Sequence, residues 1–213
     1  MTETQLLLNH SPVEAHALIL NMQETLSKHN VQLHITAERQ VKLAGEDLGC
    51  SGYFDSSAPQ LAVAIGKPFI EWFRVYLHEY SHFEQWLDDP NYFQAVDKEV
   101  TDLFAWIEHK TELSPERLKT CIEAAIFIEY DCEKRVLEKI ESQHLEHLVC
   151  PQEYAQLANA YFNFYLYMAE SRKWYTAKNE PYSLKEVYSL FPKTLVQLKE
   201  LTPELRQAYS LCV

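Results

Sequence analysis

Val75-Tyr76-Leu77-His78-Glu79-Tyr80-Ser81-His82-Phe83 is the stretch that decides how the rest of the chain is read. Residues four apart on an α-helix project from one face, one turn apart, so the imidazoles of His78 and His82 can reach a single ion. Glu79 stands roughly 100° round the helix from His78, within reach of a water on that ion. The flanks suit a helix buried beneath a cleft, because Val75, Tyr76, Leu77, Tyr80, Ser81 and Phe83 are uncharged and only Glu84 departs from the pattern.

This HExxH arrangement resembles the active helix of the zincin metallopeptidases. The resemblance implies that His78 and His82 hold Zn2+ and that Glu79 acts as the general base. A catalytic zinc takes a third protein ligand and keeps one position open. The stretch Ile128-Glu129-Tyr130-Asp131-Cys132-Glu133-Lys134-Arg135 offers it, since Glu129 and Glu133 share a helical face with Ala125, Cys132, Val136 and Ile140. Carboxylates are rarely placed on a buried face without a partner, and a metal with its histidines would be one. The pattern resembles the gluzincins, which implies Glu129 as the third ligand and Glu133 as the group orienting His78 or His82. Gluzincins usually carry aspartate where this chain has Glu133.

Two other donors compete. Asp88 stands where metzincins carry their third ligand, but Gln85 occupies the position of their turn glycine, so the helix should carry Asp88 past the ion. His144 and His147, three apart, lie among Glu141, Gln143 and Glu146 and have the setting of a solvated helix end. On a later helix Tyr154, Ala158, Tyr161, Tyr165, Met168 and Arg172 form a stripe. Tyr161, Tyr165 or Arg172 could donate to a developing oxyanion, although tyrosines at helical spacing are commonly core residues with their hydroxyls at its edge. Taken together, His78 to Trp86, Glu129 to Arg135, Ala158 to Tyr161 and Arg172 to Tyr175 are similar to a set of small phage and bacterial proteins of no assigned activity.

The surrounding chain is consistent with this centre. Leu61-Ala62-Val63-Ala64-Ile65 is a strand, and Gly66-Lys67-Pro68 turns it into the HExxH helix, which should end near Asp88-Asp89-Pro90 because proline disfavours helical geometry just before it. Ser11-Pro12-Val13-Glu14 has the form of a capping box opening a helix to about Lys28, with Asn30 ending it. Val31–Thr36 and Val41–Leu43 alternate as in a hairpin, with His34 on the solvated face. Gly45-Glu46-Asp47 and Gly49–Gly52 are turn material, and Tyr53-Phe54-Asp55 is a short strand. Beyond Pro90 everything is expected to be helical: Phe93 to His109, Ser114 toward Leu148, Pro151 through Trp174, a capping box at Ser183 and a final helix from Thr202. Thr176 to Pro181 is the loosest interval.

The expected class is α+β. A small, mostly antiparallel sheet in the N-terminal third packs on the HExxH helix (residues 1–90), and an all-helical part (91–213) supplies the third ligand, within one zincin-like domain. At 213 residues with 47% hydrophobic content the chain is long enough to bury a full core. A net charge of -12 repels a phosphate backbone, which excludes nucleic acid as a partner. No apolar run is long enough for a bilayer and no leader-like segment opens the chain, so a cytoplasmic protein without a membrane partner is expected. Five scattered cysteines without a CxxC pair suit reduced thiols. The expected function is zinc-dependent hydrolysis of a peptide or protein substrate. The alternative is a non-catalytic zincin-like module for metal binding or protein interaction, including a structural part of a phage particle.

Overall fold

A computed structural model of the chain describes residues 2–42 and 49–213. The expected turn at Gly45-Glu46-Asp47 and the end of the expected strand at Leu43 lie outside them. The chain forms two compact units, Met1–Pro90 with Glu138–Val149 and Asn91–Leu137 with Cys150–Val213. It is a mixed α+β protein with a small sheet near the N-terminus and a helical C-terminal part. Among the described residues, no helix is long and apolar enough to cross a membrane.

The first unit opens with α1 (Glu3–Asn9), which sequence patterning did not reveal and which Thr2 caps through its Oγ1, 3.2 Å from the Gln5 amide. Helix α2 (Val13–Lys28) follows, ending at His29 before Asn30 in the left-handed region. The expected capping box does not form. Pro12 is the N-cap with no side-chain bond, and the Ser11 hydroxyl donates instead to the Leu8 carbonyl, closing α1.

Among the described residues the strands are β1 (Gln32–Thr36), β2 (Val41–Lys42), β3 (Gly49–Cys50), β4 (Gly52–Asp55) and β5 (Gln60–Ala64). The expected hairpin between β1 and β2 does not form among the described residues. β1 runs parallel to β5, while β2 pairs antiparallel with β3. The main sheet has the order β1-β5-β4 and is mixed, because β4 pairs antiparallel with β5. The reason lies in β5: Leu61, Ala62, Val63 and Ala64 are all buried, as a strand covered on both faces must be, so β5 takes the centre and β1 an edge. Alternation in β1 marked a half-buried strand with His34 exposed, but alternation does not name the partner.

Helix α3 (Phe69–Asp88) packs on β4 and β5. Trp72, Phe73, Tyr76, Leu77, Tyr80 and Phe83 line its buried face, and the Phe83 ring meets those of His29, Phe54, Tyr80 and Trp86. Pro68 precedes the first turn and Pro90 starts the next helix, so two prolines bracket α3 as expected.

The second unit contains α4 (Pro90–Ile107) from Asn91 onward and most of α5 (Pro115–Ser142), whose last turns belong to the first unit. α5 stops at Ser142, short of the expected Leu148, and His144 follows in the left-handed region. The single helix expected from Pro151 to Trp174 is two, α6 (Pro151–Phe162) and α7 (Phe164–Ser171), with Arg172 left-handed at the C-cap. At the break, the Asn163 side chain donates to the carbonyls of Asn159 and Val196 and accepts from the Leu198 amide. Asn159 donates to Pro192 and Thr194 and accepts from Val196. Two fully buried amides, one on α6 and one at its C-cap, thus hold segment 192–198 by its backbone. Two short helices close the chain. Before α8 (Lys185–Tyr188) the expected Ser183 cap is missing, since that hydroxyl bonds Glu180, whereas α9 (Pro203–Tyr209) is capped by Thr202 as expected.

Candidate metal centre

The first part of the site is built on α3. His78 and His82 stand half-buried on one face, with ring centroids 4.7 Å apart and Nε2 atoms 3.1 Å apart. One turn further, Oε1 of the buried Gln85 lies 2.8 Å from Nδ1 of His82. An amide oxygen only accepts, so Nδ1 carries the proton and Nε2 turns its lone pair outward. This is how an imidazole is prepared for a metal. The resemblance implied Glu133 for that role, but at His82 it falls to Gln85, on the same helix.

Glu79 is 9% exposed and packs under the sheet. A Cβ at Gly52 on β4 would meet Val75 Cγ1 at 2.6 Å, the Ala62 carbonyl oxygen at 2.9 Å and Glu79 Cγ at 3.1 Å, so only glycine lets the strand run this close to the helix. The neighbouring Cys50 registers the carboxylate: burial first, and then the charge of Glu79, push its thiol up to about 11. Glu84, the charged residue in an otherwise apolar flank, is paired with Lys139 of α5. Lys139 also donates to Ser81 at 3.0 Å and lies over the Tyr80 ring. This end of α5 is thereby fixed to α3 within the first unit.

In the second unit, Glu129, Cys132 and Glu133 are all buried on α5, the first of them 8% exposed, on the face that Ala125, Val136 and Ile140 share. The Tyr161 hydroxyl donates to Oε1 of Glu129 at 3.2 Å, and that of Tyr154 donates to Glu133. Burial and then the Glu129 charge hold the Tyr161 phenol well above its ordinary value, so it remains a donor. Its ring is packed edge-on against Tyr165 and Tyr182.

One ligand atom from each of His78, His82, Glu129 and Cys132 lies within 4.8 Å of the others, and this group could hold a metal ion. Three of the four were expected. Cys132 was not: its place on the Glu129 face was visible, but an HExxH site with a glutamate ligand calls for no thiolate. Glu133 is buried on the same helix as Glu129 and Cys132 and is not one of the four. Asp88 is exposed at the end of α3, and His144 and His147 are exposed beyond the end of α5. Arg172 is placed elsewhere: its guanidinium donates to the carbonyls of Trp106 at 2.8 Å and Thr111 at 3.1 Å, pairs with Glu112 and lies over the Trp106 ring.

No known family matches the chain, and no curated protein or solved structure matches it either.

Proposed function

We propose that the chain is a zinc-dependent hydrolase, most simply a peptidase, with His78, His82 and Glu129 as ligands and Glu79 as general base. The observation that carries it is the pair of Nε2 atoms 3.1 Å apart with one ring oriented by Gln85. Two imidazole nitrogens bound to one tetrahedral zinc at about 2.0–2.1 Å would lie roughly 3.3 Å apart, so little movement is needed to admit the ion. When bound, zinc supplies a Lewis acid that lowers the pKa of water and polarises a carbonyl. Glu79, held between α3 and β4, accepts the proton of the attacking water and returns it to the leaving amine. Glu79 is not needed to bind the metal, so its presence favours turnover over storage.

Cys132 supports a second reading. Two histidines, a glutamate and a cysteine make a four-donor set, the composition of a closed site in a binding module rather than an enzyme. Metal analysis of untagged protein and peptide hydrolysis by Glu79→Gln and Cys132→Ser decide between them. The hydrolase reading expects Glu79→Gln to keep zinc and lose turnover, and Cys132→Ser to keep both. A Cys132→Ser protein stripped of zinc, together with a wild type that cleaves nothing, would favour the closed module.

A further inference from the structure

We propose that Tyr161 is a positioning residue for the ligand carboxylate, its hydroxyl holding one oxygen of Glu129 so that the other is the oxygen presented to the ion. This rests on the metal reading above and changes the role expected of Tyr161, from oxyanion donor to support for a ligand. The contact is 3.2 Å, and both partners lie in the second unit. A carboxylate on a buried face can turn about its last torsion and offer one oxygen or two. A phenol fixed on one oxygen removes that freedom and directs the group toward one-oxygen coordination.

The rest of α6 makes the support rigid. Edge-on rings of Tyr165 and Tyr182 restrain the phenol. On another face of α6 and at its C-cap, the amides of Asn159 and Asn163 are bonded to segment 192–198. The same helix, seven residues earlier, places the Tyr154 hydroxyl on Glu133. Two buried carboxylates one turn apart on α5 therefore each receive a phenol from α6. Glu133 lies outside the four-donor group, so it provides an internal comparison for Glu129.

The test measures zinc affinity by competition with a chromophoric chelator, and the visible spectrum of the cobalt-substituted protein, for wild type, Tyr161→Phe and Tyr154→Phe. The thermal midpoint of each metal-free protein is recorded alongside. Tyr161→Phe is expected to weaken zinc binding by about 10- to 100-fold. It should also alter the cobalt ligand-field bands and leave the metal-free midpoint near that of wild type, with Tyr154→Phe changing affinity much less. Unchanged zinc affinity in Tyr161→Phe with lost peptide hydrolysis would return the residue to the oxyanion role and overturn the proposal. So would an affinity loss shared equally by Tyr154→Phe, or one matched by a lowered metal-free midpoint, since either would mark general packing. A wild type that binds no zinc defeats the metal reading itself and the proposal with it, an outcome distinct from a zinc-binding wild type whose Tyr161→Phe variant is unchanged.

Discussion

Oε1 of Gln85 lies 2.8 Å from Nδ1 of His82, one turn along the same helix. The bond sets the ring tautomer that leaves Nε2 facing His78. Replacing Gln85 by leucine keeps the bulk and removes the acceptor. Zinc affinity should fall about 10- to 100-fold, as for other partners of metal-bound histidines. Gln85→Glu, which still accepts, should recover much of it. Chelator competition on the three proteins measures both effects.

Gly52 is the point where β4 meets α3. Gly52→Ala would set a methyl 2.6 Å from Val75 Cγ1 and 2.9 Å from the Ala62 carbonyl oxygen, and the latter, being backbone, cannot swing away. Overpacking of this kind costs about 1–3 kcal/mol, to be read as a lowered urea midpoint. Glu79 Cγ is the third neighbour, so any hydrolysis should fall more than stability does.

Cys50 reports on Glu79. Its thiol is raised to about 11 by burial and then by the Glu79 charge, so alkylation at pH 8 should be slow and should accelerate as the pH rises toward that value. The charge disfavours the thiolate, so Glu79→Gln must shift the profile downward in pH and speed the reaction. Peptide mapping after timed iodoacetamide treatment separates Cys50 from the exposed Cys150. An unchanged rate in Glu79→Gln would place the carboxylate away from Cys50.

Asn159 bonds three backbone groups of segment 192–198. Pro192 and Thr194 are exposed, so their carbonyls can turn to water, and Asn159→Ala is expected to cost about 1–3 kcal/mol in denaturant unfolding, chiefly from the half-buried Val196 amide. The segment is held by its backbone, and the exposed Gln197 should accept alanine within about 0.5 kcal/mol.

Sequence patterning made some of this visible and not the rest, for identifiable reasons. The HExxH helix could be placed because two prolines bracket it and its apolar face repeats at helical spacing. Glu129 and Glu133 could be placed on a buried face by the same spacing, and both are buried. Strand pairing was hidden: β1 joins β5 in parallel across a long intervening segment, and nothing local in Val31–Thr36 encodes a distant partner. The caps at Ser11 and Ser183 failed because each hydroxyl had a nearer carbonyl, at Leu8 and Glu180. The break at Asn163 was hidden because its cause, segment 192–198, is remote in sequence. Cys132 was missed although its spacing from Glu129 held the signal.

The metal content of protein made without a histidine tag tests the central claim most directly. Elemental analysis of the purified wild type should find about one zinc per chain, reduced to background in His82→Ala and in Glu129→Ala while both variants remain folded by circular dichroism. A folded wild type carrying no metal, and taking up none from added zinc, would contradict the account.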